Sequence, residues 1–321
     1  MSGLTDAQLS QFHEEGCLAI PGFLSPEQLS RIMGYSHKLM AEFDPATHPM
    51  TKFTTNDDNH VGDRYFLESS DKIRYFLDTD ALDAAGALTK PAAQSVNKVG
   101  HGLHLAVDPH NPCPGITFDP RVQAIARQLE FTDPRILQSM LIFKHPSASK
   151  HSANAVPSHT DGAFLYTDPL SCIGFWFALE DCTLTNGCLH YNPGTHKTHE
   201  ITKRFVRVKD EKGATRGTNF AVIPGMETHV NPEDVQKDYK LVECPAGTLV
   251  LIHNRVLHKS EDNVSDKSRF AYTFHIVEGP ESGKGVVYDL LNWLQIPTNV
   301  DGEITGDAIN VGAGNFSRLY T

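Results

Sequence analysis

Gly247-Thr248-Leu249-Val250-Leu251-Ile252-His253 runs straight into Asn254-Arg255-Val256-Leu257-His258. The first seven residues read as a short buried strand, an unbroken apolar run opened by the turn Pro245-Ala246-Gly247. Asn254-Arg255 is a turn, and Val256-Leu257 restores the apolar texture before a second histidine. Four more runs of this kind lie at 136–144, 171–179, 187–191 and 270–277. Turn clusters such as Thr185-Asn186-Gly187 and Pro193-Gly194 separate them. Many short strands without alternating helices imply an antiparallel sandwich or barrel. The expected class is mainly β with flanking helices.

The helices belong to the N-terminal region. Thr5 with Gln8 fits a capping box, and Leu9 and Phe12 supply the apolar stripe. Ser25-Pro26-Glu27-Gln28 is a stronger start: a serine cap, proline at the first helical position and glutamine at the third. Leu29, Ile32, Met33, Leu39 and Met40 carry that helix to about Phe43. Residues 17–23 read as a short strand and turn, 44–62 as loop and 81–95 as irregular. Residues 201–240 look like an excursion from the β core, either a lid moving about Gly213, Gly217 and Gly225 or an ordinary surface loop. In the C-terminal tail only Leu290-Leu291-Asn292-Trp293-Leu294 is convincingly apolar. The expectation is one domain over residues 1–321: a helical region over residues 1–95, a β core of about 96–280 and a tail over 281–321.

With 321 residues, 40% of them hydrophobic, the chain can bury a sizeable core. A net charge of −11 suits nucleic acid poorly, because that affinity starts from neutralising phosphates. No apolar run approaches the ~18 residues of a membrane span. The six cysteines form no C-x-x-C pair, which argues against a thiolate zinc site or a disulfide scaffold. The polar N-terminus does not read as a signal peptide, and Arg318-Leu319-Tyr320-Thr321 is not a peroxisomal address. A reduced, cytoplasmic protein acting on a small molecule is the expectation; oligomeric state is not legible.

The chemistry-bearing motif is His159-Thr160-Asp161. In an extended segment residues two apart share a side, so both could reach one metal. H-x-D alone is weak in a chain with 17 histidines. A distant histidine would complete a two-histidine, one-carboxylate facial triad, the ligand set of non-haem Fe(II) enzymes. His253 and His258 are both candidates; His253 could equally be a core histidine ending its strand. Eleven residues past His258, Arg269 opens the run at 270–277. If that strand pairs near His258, the guanidinium shares the pocket and can clamp a carboxylate bidentately.

These residues resemble the Fe(II)/2-oxoglutarate-dependent phytanoyl-CoA dioxygenases. The similarity runs from about Leu4 to the C-terminus. It includes Tyr65-Phe66-Leu67, Asn97-Lys98-Val99-Gly100-His101, Gln138-Ser139-Met140, Ser158-His159-Thr160-Asp161, Asn186-Gly187-Cys188-Leu189, Pro193-Gly194-Thr195-His196 and 269–275. The resemblance implies a double-stranded β-helix, a cupin-like jelly roll with a metal at its open end. It implies His159, Asp161 and His258 as iron ligands and catalytic centre. It implies Arg269 on the C5 carboxylate of 2-oxoglutarate with Ser260 beside it, and Lys98, Met140 and Trp176 lining the co-substrate pocket. The implied cofactors are Fe(II), 2-oxoglutarate and O₂, with ascorbate as an accessory reductant. The implied reaction is hydroxylation of a C–H bond in a small organic or acyl substrate, with 2-oxoglutarate decarboxylated to succinate and CO₂. Asp161 stands where related halogenases carry a small residue, which favours oxygen insertion. The alternative is a jelly-roll protein that binds metal and 2-oxoglutarate without turnover. His101, His104 and His196 are further candidates to face the substrate.

Overall fold

A computed structural model describes residues 3–52, 64–105, 108–146, 154–231, 238–296, 299–300, 303–304 and 316–320. Residues 53–62 of the expected 44–62 loop, 232–237 of the excursion and 305–315 of the tail lie outside the described residues.

Thirteen strands organise the described residues: β1 Cys17–Ile20, β2 Ile73–Leu77, β3 Val96–His101, β4 Pro134–Lys144, β5 Val156–His159, β6 Ile173–Ala178, β7 Leu189–Tyr191, β8 Lys203–Lys209, β9 Thr215–Val222, β10 Lys240–Val242, β11 Leu249–His253, β12 His258–Ser260 and β13 Arg269–Glu278. The larger sheet runs β1-β11-β6-β13-β4-β3-β2, with the two-residue strand Ser317–Arg318 also against β4. The smaller sheet runs β10-β7-β12-β5. Every pairing within these two sheets is antiparallel.

The central strands read as unbroken apolar runs because both faces of the larger sheet are covered. On one face Phe175, Phe177, Leu249, Leu251, Phe270, Tyr272 and Phe274 join Phe12, Ile32 and Leu39 of the N-terminal helices in one core. On the other, Trp176, Ala178, Val250, Ile252 and Ala271 pack with Leu189, Tyr191 and Val242 of the smaller sheet. The result is a β-sandwich with helices on its outer face, the jelly-roll architecture.

Helix α1, Asp6–Glu15, and helix α2, Pro26–Glu42, begin where the capping boxes predict, with Thr5/Gln8 and Ser25/Gln28 bonded reciprocally. At α2, Ser25 Oγ accepts from Gln28 N at 3.1 Å and Gln28 Oε1 accepts from Ser25 N at 3.0 Å. Among the described residues no helix is long and apolar enough to cross a membrane.

Several histidines lie inside this fold as neutral bases. His104 is 3% exposed, its ring 2.8 Å from Ser139 Oγ. Burial pushes it down to about 4, His145 likewise to about 4, and His253 to about 3. In the unfolded chain these rings protonate near pH 6.5, whereas the folded chain resists protonation until near pH 4. Unfolded chain therefore binds more protons in that window, and stability falls as pH drops through it. These histidines should contribute no pH dependence to urea stability above about pH 6.5 and a decline of up to ~3 kcal/mol each toward pH 4. His104→Gln should flatten the slope.

Candidate metal and co-substrate site

His159 ends β5 and His258 opens β12, and the two are direct partners in antiparallel register. Opposed residues of an antiparallel pair point to the same face, and the two ring centroids are 4.2 Å apart. Asp161 arrives differently from the extended geometry expected for H-x-D. The strand stops at His159, and Asp161 opens the helical turn Asp161–Phe164. The chain bends because Gly162 N donates to Asn254 O at 2.9 Å and Leu165 N to Asp161 O at 2.9 Å. A Cβ at Gly162 would lie 3.0 Å from Asn254 O, so the bend wants glycine.

The turn sets Asp161 Oδ1 3.8 Å from His159 Nε2 and 3.5 Å from His258 Nε2. One donor atom from each of the three lies within 4.8 Å of the others. Each imidazole is oriented by its own strand: His159 Nδ1 donates to Pro157 O at 2.9 Å, and His258 Nδ1 to Val256 O at 3.1 Å. A carbonyl only accepts, so each Nδ1 carries a proton, which leaves each Nε2 on the Asp161 side to offer its lone pair to a cation. Burial, reinforced by the His258 ring, pushes His159 down to about 4. Burial alone would raise the Asp161 carboxyl; the His258, His275 and His159 rings outweigh it and hold the group well below the usual range. Asp161 Oδ2 is buried without a hydrogen-bond partner; His275 Nε2 stands 3.4 Å away at ion-pair distance without hydrogen-bond geometry. Two neutral imidazole nitrogens, one ionised carboxylate and an orphaned carboxylate oxygen fit a divalent cation with an open coordination face.

Gly174 on β6 lies beneath this cluster. A Cβ there would be 3.0 Å from Asp161 Oδ2 and 3.3 Å from His275 Nε2. Gly174→Ala should shift the carboxylate by a few tenths of an ångström and weaken Mn(II) binding roughly 10–100-fold, with unchanged circular dichroism. Wild-type affinity in calorimetric titration would remove Gly174 from that support.

Arg269 reaches the same cavity from the opposite sheet. The expectation that its strand pairs near His258 is corrected: β13 pairs β4 and β6 in the larger sheet, while β12 lies in the smaller one. The guanidinium therefore faces the histidines across the sandwich. Arg269 is 2% exposed, with its Cζ 5.4 Å from the Trp176 ring centroid. Its Nε has no hydrogen-bond partner, and no described carboxylate lies within ion-pair distance. Lys144 is its register partner and is also buried. Lys144 Nζ donates to Ser260 O at 3.4 Å and to Glu261 O. Burial, then the Arg269 charge, pushes Lys144 well below the ordinary lysine value. Burial alone brings Lys98 on β3 down to about 7. Arg269 and Lys144 thus stand together at one end of the cavity, and a buried guanidinium without a counter-charge is costly.

All eight residues singled out in the sequence line one cavity of about 240 Å³: Lys98, Met140, His159, Asp161, Trp176, His258, Ser260 and Arg269. His101 joins them, but His104 and His196 do not. His104 turns to Ser139, and His196 Nε2 bonds His13 O at 3.0 Å and packs on His253. His253 is thereby a core histidine. Lys144 lines the cavity without a signal in the sequence; Gln138 and His275 also line it, inside segments that carry the family resemblance but without a role read for them. Gln138, Met140, Ile142 and Lys144 alternate along β4 on the cavity face, a pattern hidden because Leu137, Leu141 and Phe143 make the run look uniformly apolar. The excursion is to a large extent ordered structure: β8 and β9 form a hairpin, with Phe205 in the cavity wall. Arg207 fastens it, Nε donating to Trp293 O at 2.8 Å and Nη2 to Leu67 O at 2.9 Å.

Comparison with known proteins agrees with this geometry. The phytanoyl-CoA dioxygenase (PhyH) family model matches residues 12–271. Phytanoyl-CoA dioxygenase domain-containing protein 1 of Bos taurus is 39% identical over 302 residues, covering 92% of this chain and 96% of that protein. The epimerase SnoN in complex with Fe3+, alpha ketoglutarate and nogalamycin RO superposes with a TM-score of 0.59 at 15% identity over 98% of both chains. EctD from S. alaskensis with 2-oxoglutarate and 5-hydroxyectoine gives 0.52 at 16% identity, covering 86% of this chain and 76% of that one. At such identities the structural likeness is one of fold. The extent of the family match and the identity to the bovine protein decide the assignment: the chain belongs to the phytanoyl-CoA dioxygenase family.

Proposed function

We propose that this chain is an Fe(II)- and 2-oxoglutarate-dependent oxygenase that hydroxylates a C–H bond of a small organic or acyl substrate, working as one domain in the cytoplasm. The observation that carries the reading is one cavity holding both an open-faced His159/Asp161/His258 donor set and a buried, unpaired Arg269. A metal alone would need only the first, and the second asks for an anion that also reaches the metal. 2-Oxoglutarate, a keto-acid with a second carboxylate, answers both. SnoN, in complex with Fe3+ and alpha ketoglutarate, and EctD, with 2-oxoglutarate, are proteins of this fold that support the same pairing.

In this reading His159, Asp161 and His258 hold Fe(II), and Arg269 clamps the C5 carboxylate with Ser260 beside it. Fe(II) supplies the redox chemistry that couples decarboxylation of 2-oxoglutarate to oxidation of the substrate by O₂. The Pro157 and Val256 carbonyls keep the two histidine lone pairs aimed inward. Trp176 and Met140 exclude water from the co-substrate, which strengthens the Arg269–carboxylate attraction. Lys98, brought down to about 7 by burial, lines the same cavity, its charge reaching the His159 ring. O₂ consumption and succinate release should depend on both Fe(II) and 2-oxoglutarate, rise when cell extract supplies substrate, and fail with Zn(II). Equal release with Zn(II), or none with Fe(II) plus extract, would end the reading.

A further inference from the structure

The two ends of the cavity differ in chemistry. Arg269 and Lys144 occupy one, while the charge of Lys98 reaches the His159 and His101 rings of the other. From His159 outward the other is aromatic: Phe164 lies 5.7 Å from the His159 ring, Phe205 5.5 Å from Phe164, and Trp293 6.0 Å from Phe205. Phe66 stacks on Trp293 at 4.6 Å with 10° between planes, and the His101 ring stands edge-on to Trp293 at 5.4 Å. Leu165 is an aliphatic member of this wall.

Arg207, the guanidinium behind Trp293, is spent on two backbone carbonyls. Among the described residues lining the cavity, Asp161 is the sole carboxylate, and the proposed metal claims it. An ammonium placed here would be buried without an anion among the described lining residues, at a penalty of several kcal/mol. Size restricts the occupant too. About 240 Å³ falls below the ~300–1,000 Å³ usual for ligand pockets, and the co-substrate shares it.

Resting on the oxygenase reading, we infer that the primary substrate is a small, ring-bearing molecule without a cationic group, whose aromatic or conjugated face lies against Phe164, Phe205 and Trp293, its reacting carbon turned toward the His159 side. Ring-on-ring contact gives such a molecule an advantage over an aliphatic one of equal area.

The chain contains two tryptophans, and they sit at opposite ends of the cavity: Trp176 beneath Arg269 and Trp293 in the aromatic wall. Their emission therefore reports the two ends separately. In the Trp176→Phe chain with Mn(II), Trp293 fluorescence is titrated with 4-nitroanisole and phenyltrimethylammonium. 4-Nitroanisole should quench saturably and bind at least tenfold tighter than phenyltrimethylammonium. Phe205→Leu, with unchanged circular dichroism, should weaken it about fivefold. Equal or tighter binding of phenyltrimethylammonium, no quenching by 4-nitroanisole, or indifference to Phe205→Leu would overturn the inference. In the Trp293→Phe chain, 2-oxoglutarate should quench Trp176 whatever the substrate is. Failure there counts against the co-substrate reading, so the two can fail separately.

Discussion

Arg269→Ala is expected to raise the dissociation constant for 2-oxoglutarate by at least ~30-fold, a loss of roughly 2–5 kcal/mol, because truncating one partner of a desolvated charged pair leaves the other unpaired. A general structural defect would lower affinity too, but the unliganded protein separates the two explanations. Arg269 is 2% exposed and its Nε lacks any partner, so without co-substrate it is a buried charge that costs stability. Replacing it with a neutral side chain of similar length, Arg269→Met, should leave the melting temperature of the unliganded chain unchanged or higher while abolishing 2-oxoglutarate binding. Arg269→Lys should recover some of the affinity, since a point charge survives but the planar fork does not. A lower melting temperature with unchanged 2-oxoglutarate affinity would show that Arg269 serves the fold and not the co-substrate.

Why Arg269 can be singled out, yet misplaced, shows what this sequence makes legible. Strand positions follow from local composition, and 136–144, 171–179, 187–191, 248–253 and 270–277 appear as β4, β6, β7, β11 and β13 with ends shifted by a residue or two. Capping is equally local, so α1 and α2 begin at the predicted caps. The helix Pro120–Gln128 goes unread although Asp119-Pro120 carries the same cap-then-proline signal as Ser25-Pro26, and Asp119 Oδ1 accepts from Arg121 N at 2.9 Å. Sheet membership is not local. Nothing near Arg269 says whether β13 neighbours β12 or faces it, because that depends on which strands cross between layers. The aromatic wall is invisible in the sequence for the same reason. Phe66, Phe164, Phe205 and Trp293 come from four separate segments and share no period, and only the fold brings them together. The turn at Asp161 is equally hidden, since its cause is a hydrogen bond from Gly162 to Asn254, 92 residues onward.

That turn makes Asp161 the most sensitive position in the molecule. Asp161→Ala should reduce succinate formation to background and weaken Mn(II) binding by at least 100-fold. The two histidines lie on directly paired strands and keep their carbonyl partners, so the protein should remain folded. What it loses is the anionic donor. Two neutral imidazoles alone leave the divalent charge uncompensated in a site where Asp161 is 8% exposed and water is largely excluded. The loss should also appear as stability. Metal at 100 times its dissociation constant stabilises the wild-type fold by about 2.7 kcal/mol through mass action, and a hundredfold weaker site at that concentration keeps only ~0.4 kcal/mol. Urea unfolding with and without Mn(II) would therefore show a metal-dependent midpoint shift in the wild type that nearly vanishes in Asp161→Ala. Asp161→Asn separates charge from shape: it preserves the side chain's length and its 3.4 Å approach to His275 but cannot offer an ionised oxygen. If Asp161→Asn retains the wild-type midpoint shift, the ionised oxygen is not what holds the metal and Asp161 loses its place as the anionic ligand.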